Sequence, residues 1–182
     1  MVALKLRDCL LPASLVLARL CVGGIFLIAA VGKVQSPGAF ADAIRAFHLL
    51  PPALVLPTAY ALPWIELLVA LYVLTGFLAR PAALAAGGLL LVFTAALLDS
   101  LMTGNTNHAC GCFGPGAGAY PILALVSGGS TVTRWDVVRD LILAGMAALI
   151  AAGGAGTLSV DRIRQPRHSR AEAYKARRRA HS

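Results

Sequence analysis

Charged side chains are scarce in this chain of 182 residues. They make up 13% of it, and eight residues are Asp or Glu. A soluble domain has about 25% charged residues. With 58% hydrophobic residues and a mean hydropathy of +0.76, the composition excludes an ordinary soluble domain and indicates that lipid is the main solvent. The length leaves room for one domain of modest size.

Cysteine is also scarce, and the spacing of the cysteines excludes common metal motifs. The chain has four cysteines, no C-x-x-C pair and no His-x-x-x-His pair, so it contains no zinc-finger pattern and we predict no metal site. Two of the four, Cys110 and Cys112, lie one residue apart in the long polar connection. The others are Cys9 and Cys21, in or just before the first apolar run.

Basic residues are concentrated at one end of the chain. The formal net charge is +8, and the segment from Arg162 to Ser182 holds eight Lys and Arg against one acid, Glu172. This describes a tail rather than a nucleic-acid-binding face, so we expect no nucleic-acid partner. We predict that residues 161–182 form a disordered basic tail, which either only fixes topology or also binds anionic headgroups.

Long apolar segments predict an all-α integral membrane protein. A helix needs about 20 residues to cross a bilayer, and four segments qualify, which predicts a four-helix bundle over residues 1–160 with a long outer loop between helices 3 and 4. The segments run from Leu10 to Val34, Leu54 to Leu78, Ala82 to Met102 and Val137 to Leu158.

Basic flanks predict the orientation in the inner or plasma membrane. Lys5, Arg7, Arg80 and the arginine-rich tail should face the cytoplasm. Both termini are then cytoplasmic, and the loops over 35–53 and 103–136, with the cysteine pair, lie outside. Trp64 and Trp135 are predicted as interfacial anchors.

Four charged residues lie within or at the ends of the predicted spans. Arg19 and Glu66 are deep enough to need a partner, and we predict an Arg19–Glu66 ion pair that either fixes helix register or forms a polar pocket or proton route. Arg19 alone has the alternative of reaching the inner surface. Lys33 and Asp99, near the outer ends of their spans, are expected to extend to water unless they belong to the site.

The Cys110-Gly111-Cys112 segment is the candidate redox site. A disulfide between residues two apart closes a small ring, and glycine relaxes its backbone restrictions. A strained bridge of this kind is readily exchanged, and His108 would stabilise a thiolate. Three alternatives remain open: a static loop staple, a soft-metal ligand pair, and two thiols without a role.

An ordered series of motifs resembles the MauE/DoxX-like family of small membrane proteins described as redox-associated. The resemblance covers roughly residues 14–150. The motifs are Gly32-Lys33, Leu49-Leu50-Pro51, Pro63-Trp64-Ile65-Glu66, Cys110-Gly111-Cys112-Phe113-Gly114 and Arg139-Asp140. The resemblance implies a redox pair at Cys110 and Cys112, membrane charges at Arg19, Lys33 and Glu66, and a thioredoxin-like partner.

Two functional hypotheses follow. The first is a membrane thiol-disulfide redox protein, a component of a thiol-disulfide oxidoreductase system that acts on exported protein thiols. Its electron partner is a thioredoxin-like protein or a lipid quinone, the latter weakened because the sequence has no second membrane-embedded cysteine pair. The alternative is a non-enzymatic membrane scaffold or small-solute carrier with a polar path at Arg19 and Glu66.

Overall fold

The computed structural model describes residues 2–108, 111, 113 and 131–153, with side chains from residue 13 onward. Within these residues the chain forms five helices and no strand, which confirms the all-α class for this part. The helices are α1 (Val2–Gln35), α2 (Pro37–Ala46), α3 (Pro52–Thr75), α4 (Ala79–Thr103) and α5 (Arg134–Gly153). The predicted tail over 161–182 and most of the predicted outer loop lie outside the described residues.

Three of the predicted spans are confirmed as helices long and apolar enough to cross a bilayer. They are Ala13–Gln35, Pro52–Thr75 and Ala79–Thr103. The fourth predicted span, from Val137, falls on α5, whose first two turns contain three buried charged residues. The crossing of the membrane by α5 therefore stays a prediction, as does the orientation that depends on it.

The helices pack closely through small side chains. α1 lies along α3, and α4 lies along α5, which also touches α1. Ala70, Ala83, Ala86 and Ala147 are all buried where these helices meet. Small residues let helix backbones approach in lipid, where dispersion contacts replace the hydrophobic effect between helices. Large apolar side chains face outward instead, as a lipid-solvated surface requires, among them Leu17, Leu84, Leu91, Val92 and Leu149.

The segment after α1 differs from the prediction of a loop over 35–53. Ten of its residues form α2, which begins at Pro37, a favoured residue for the first helical position because its missing N–H needs no partner there. α2 buries Phe40 and Ala41 against Val55 and Ala59 of α3. As a result, α2 covers the end of α1 that the sequence had placed in contact with water.

Both ends of the connection between α4 and α5 are held by hydrogen bonds and apolar contacts. The Val132 N–H donates to the Thr106 carbonyl at 3.1 Å, and Asn105 Nδ2 donates to the Ala46 carbonyl at the end of α2, at 2.8 Å. Phe113 and Val132 are buried against Ala29 and Leu97. These contacts hold both ends of the connection next to α2 and α4.

Candidate functional site

A buried ion pair joins α1 to α3. Lys33 Nζ donates to Glu66 Oε1 at 2.5 Å, and the two side chains are 0% and 1% exposed. The ammonium group also lies 5.0 Å from the ring centroid of Phe40 and 5.0 Å from that of Phe93. An aromatic face attracts a cation, so α2 and α4 contribute to holding the charge that α1 carries.

A second group of buried charges begins α5. Arg139 donates to Asp136 Oδ1 at 3.1 Å and to Asp140 Oδ1 through its Nε at 3.0 Å and its Nη2 at 2.9 Å. Asp136 Oδ2 accepts from the Thr133 N–H at 2.9 Å and the Thr133 hydroxyl at 2.7 Å. Thr133 and Asp136 have the spacing of a capping box, which satisfies donors at a helix start.

The two groups meet at a small cavity of about 20 Å³. Glu66 and Asp140 both line it, and Glu66 Oε2 and Asp140 Oδ2 accept no hydrogen bond from the described part of the chain. A cavity of this size has room for one water, the group that commonly satisfies buried polar atoms. We call Lys33, Glu66, Asp136, Arg139 and Asp140 the charge cluster. It contains three acids and two bases, a formal charge of −1 when all are ionised.

Two described residues of the cysteine region, Gly111 and Phe113, lie near this cluster. Phe113 is 4% exposed, and its ring centroid is 4.9 Å from Arg139 Cζ. Gly111 has φ of +69° and lies on α2, since a Cβ built on it would be 3.2 Å from Ala43 Cβ and 3.8 Å from Phe40 Cε2. Phe40 is one of the two rings that face Lys33. Phe113 therefore contacts the charges of α5 directly, and Gly111 contacts α2 beside a ring that faces Lys33.

Cys110 and Cys112 lie outside the described residues, so the predicted disulfide stays a prediction. Gly111 is bonded to both of them, and consecutive Cα atoms are about 3.8 Å apart across a trans peptide bond. His108 lies between α2 and α4, with Ser100 Oγ 3.5 Å from its Nε2. Its ring meets Phe47 edge-on at a centroid distance of 4.6 Å. These contacts fix the imidazole near the start of the cysteine segment.

The predicted Arg19–Glu66 pair is wrong. Arg19 Nε donates to the Val73 carbonyl at 3.0 Å, and its Nη2 donates to the Leu74 carbonyl at 2.9 Å. Val73 is seven residues beyond Glu66 on α3, about 10 Å along the helix axis. Arg19 thus caps the end of α3, where carbonyls lack helical partners and a cation is favoured by the helix dipole. Lys33 is the partner of Glu66 instead.

The expectation that Lys33 extends to water is also wrong, because α2 and Phe40 cover it. Asp99 is exposed, as expected for a carboxylate near a helix end. Asp136, Arg139 and Asp140 were not among the predicted site residues. Their signal was available, since charges three and four residues apart on a helix share a face, and here that face is buried.

The helices and the buried charges define an integral membrane protein with a polar centre inside a helical bundle. The family model for methylamine utilisation protein MauE matches residues 11–153, so the chain belongs to the MauE family. The match includes the charge cluster and the cysteine segment.

Individual relatives agree with this assignment. A methylamine utilization protein MauE of Paracoccus denitrificans is 35% identical over 142 residues, covering 78% of this chain and 70% of the relative. The MauE of Methylophilus methylotrophus is 32% identical over 141 residues, covering 78% and 69%. The MauE of Methylorubrum extorquens is 38% identical over 85 residues, covering 47% and 46%. No solved structure matches the chain.

Proposed function

We propose that the protein is a membrane accessory factor for methylamine utilisation that exchanges disulfides with exported proteins through Cys110 and Cys112. The observation that carries the proposal is the anchoring of the segment around the pair. Gly111 lies on α2 and Phe113 on Arg139, so the residues between and directly after the two cysteines have fixed contacts. A loop that only connects two helices needs no such contacts with buried charges.

The chemistry of the exchange needs two thiols and no bound cofactor. A thiolate at one cysteine attacks a sulfur of the partner's disulfide, one partner thiolate leaves, and a mixed disulfide forms. The second cysteine then attacks the mixed disulfide, so that the chain becomes oxidised and the partner fully reduced. The reverse sequence oxidises a substrate dithiol. A thioredoxin-like protein is the proposed partner, and exported protein thiols are the proposed substrates.

The separation of Arg19 from Glu66 weighs against the carrier hypothesis in the form the sequence suggested. A polar path through these residues requires them to line one passage. Arg19 instead binds the carbonyls that end α3, and Glu66 binds Lys33. One group of buried charges connects α1 with α3, and the other lies at the start of α5, in contact with Phe113. They form a support for the cysteine segment rather than a route along the bundle.

Cysteine replacement tests the proposed exchange directly. Cys110→Ser and Cys112→Ser, singly and together, would be introduced into a Paracoccus denitrificans strain from which its own MauE has been deleted, and growth on methylamine would be compared with that given by the parent protein. The single variant that lacks the resolving cysteine should accumulate a mixed disulfide on non-reducing gels, whereas the variant that lacks the attacking cysteine should form none. All three variants should fail to support growth. Cys21→Ser is the matched control, since this partly buried thiol lies in α1. Full growth with the double variant would refute the exchange.

The same thiols test the proposed orientation. With the cysteine segment outside and both termini cytoplasmic, a membrane-impermeant maleimide should label reduced Cys110 and Cys112 in intact spheroplasts. A cysteine introduced at Ser182 should be labelled only after lysis. The opposite pattern would reverse the orientation. Labelling of both sites in intact spheroplasts would place the C-terminal tail outside, on the same side as the cysteine pair, and would contradict a cytoplasmic tail.

A further inference from the structure

A second, larger cavity lies beside Gly111, apart from the charge cluster. Its volume is about 210 Å³, and it is bounded by α2, α3, α4, the connection between α2 and α3, and Gly111. Three aromatic rings contribute to its wall, those of Phe40, Phe47 and Phe93. Among the described residues that line it, Thr58 supplies the one side-chain polar group. The cavity therefore offers an apolar, ring-lined space with a single hydroxyl.

The size of the cavity suits one substituted ring. An apolar cavity of about 150 Å³ binds benzene, so 210 Å³ accepts a six-membered ring with several small substituents. A large folded ligand would not fit. The opening lies on the lipid-facing surface, because the lining residues Val92 and Leu49 are 65% and 52% exposed. A ligand with a long apolar tail would enter from the bilayer and leave its tail there.

The chain itself provides no second dithiol that could receive electrons from Cys110 and Cys112. The two remaining cysteines of the sequence, Cys9 and Cys21, both lie in α1. Twelve residues of helix separate them by about 18 Å, whereas the Cα atoms of a disulfide are at most about 7 Å apart. The absence of a relay dithiol weakened the quinone hypothesis in the sequence, because a distant acceptor would need such a relay. The cavity removes that objection, since Gly111, the residue that joins the reactive pair, lines it.

We propose that this cavity binds the ring of a lipid-soluble quinone, which oxidises the Cys110–Cys112 dithiol. Two S–H bonds break and one S–S bond forms. The two electrons and two protons pass to the quinone, whose two carbonyl oxygens become the hydroxyls of a hydroquinone. The Thr58 hydroxyl donates to a ring carbonyl, which a lipid acyl chain does not offer. The inference rests on the proposed disulfide exchange and names its terminal electron acceptor.

Binding is tested with the full chain in nanodiscs made of quinone-free phospholipid. The probe is a dimethoxy-methyl-benzoquinone with a decyl tail, and binding is measured by calorimetry. Ala96 lines the cavity, so Ala96→Phe fills it and should weaken binding at least tenfold. The matched control is Ala95→Phe, at the adjacent exposed position outside the lining, which should bind as the parent protein does. Circular dichroism establishes that both variants are helical.

A second variant, which hardly changes the side-chain volume, tests the site without the risk that the protein misfolds. Thr58→Val removes the hydroxyl and should weaken binding of the quinone without affecting decanol, a tailed probe that lacks a ring. Equal quinone binding by the Ala96→Phe and Ala95→Phe proteins would overturn the proposed site. Displacement of the quinone by an equal concentration of decanol would also overturn it, since the cavity would then be a site for lipid chains.

Electron transfer is measured separately from binding. In the reduced parent protein, one equivalent of probe should remove two free thiols and yield one hydroquinone, and the protein with both Cys110 and Cys112 replaced by Ser should bind the probe but yield none. Binding with no thiol loss in the parent protein would refute the role of the quinone as oxidant. If mixed disulfides with a partner still form in that case, the proposed exchange stands and the acceptor alone is wrong.

Discussion

Lys33 and Glu66 form an ion pair that is closed off from the surface on all sides. The ammonium donates to Glu66 Oε1 at 2.5 Å, and α2 and α4 place Phe40 and Phe93 against it. Lys33 is near the end of α1 and Glu66 is in the middle of α3. The pair therefore fixes how far α1 is displaced along α3, and it positions α2, on which Gly111 rests.

Removal of one member of this pair should destabilise the protein strongly. Lys33→Met leaves Glu66 as an unpaired buried carboxylate, and breaking a buried pair in this way costs about 3–5 kcal/mol. We expect a marked fall in the midpoint of thermal unfolding in detergent. Replacement of both residues, with Lys33→Met and Glu66→Leu, should recover a large part of the loss, because apolar residues of similar volume often substitute well for a buried pair.

The Arg45–Asp42 pair of α2 provides an exposed control. These side chains are 51% and 77% exposed and 2.6 Å apart. An exposed pair contributes about 1 kcal/mol or less, so Arg45→Met should leave the midpoint nearly unchanged. If Lys33→Met has no larger effect than Arg45→Met, the buried pair does not hold α1 and α3 in register.

The spans were predictable because a helix that crosses a bilayer needs about 20 consecutive, mostly apolar residues. Four apolar runs of more than 20 residues predict four spans, and the structure confirms three of them, at Ala13–Gln35, Pro52–Thr75 and Ala79–Thr103, while the fourth stays a prediction. α2 was not predicted, since ten residues are too few to cross a bilayer and Pro37, its one proline, resembles a loop proline. α2 is amphipathic in sequence, but that its apolar face packs on α3 through Phe40 is evident only in the structure.

The partners of the buried charges were less accessible from sequence. Depth along a span, counted in residues, placed Arg19 and Glu66 within reach of each other. Depth alone does not reveal that the last carbonyls of α3 need hydrogen-bond donors, which Arg19 provides. It also does not reveal the cover that α2 provides over Lys33. Depth along one axis constrains which charges are buried, whereas pairing depends on the rotation of each helix and on what covers its end.

Gly23 should be required at the contact between α1 and α3. A Cβ on Gly23 would lie 2.6 Å from Leu74 Cγ and 3.3 Å from the Ala70 carbonyl oxygen. Gly23→Ala should therefore force the helices apart, at a cost of about 1–3 kcal/mol, as for overpacked cores. Chemical unfolding of the purified protein, followed by circular dichroism, measures the change.

Gly24 tests whether the predicted loss of stability in Gly23→Ala comes from the close helix contact or from replacing any glycine of α1. A Cβ there meets nothing within 4 Å, and alanine is favoured over glycine inside a helix by about 1 kcal/mol. Gly24→Ala should thus be neutral or stabilising, opposite in sign to Gly23→Ala. The same sign for both variants would contradict the close approach of α1 and α3.

Gly111 and Gly104 form a second matched pair. Both have positive φ, +69° and +73°, so alanine is strained at either position by about 1–3 kcal/mol. A Cβ on Gly111 would also lie 3.2 Å from Ala43 Cβ, whereas one on Gly104 meets nothing within 4 Å. Gly111→Ala should therefore displace the cysteine segment from α2 and alter the rate of maleimide labelling at Cys110 and Cys112. Gly104→Ala should leave that rate unchanged, and equal rates in both variants would argue against the contact with α2.

Phe113 should control the reactivity of the cysteine pair through its contact with Arg139. The ring lies 4.9 Å from the guanidinium carbon and is almost fully buried, and a cation over an aromatic face contributes about 0.5–2 kcal/mol. Phe113→Leu retains an apolar side chain but loses this attraction, and Phe113→Ala also opens a cavity. Labelling of Cys112, the adjacent residue, should accelerate in the order parent, Phe113→Leu, Phe113→Ala.

Arg139→Lys is the complementary variant. It keeps a cation but loses the planar guanidinium that binds both Asp136 and Asp140, so it should also accelerate the labelling of Cys112. If none of the three variants changes the rate, the charge cluster does not support the cysteine segment, whatever the segment's own chemistry.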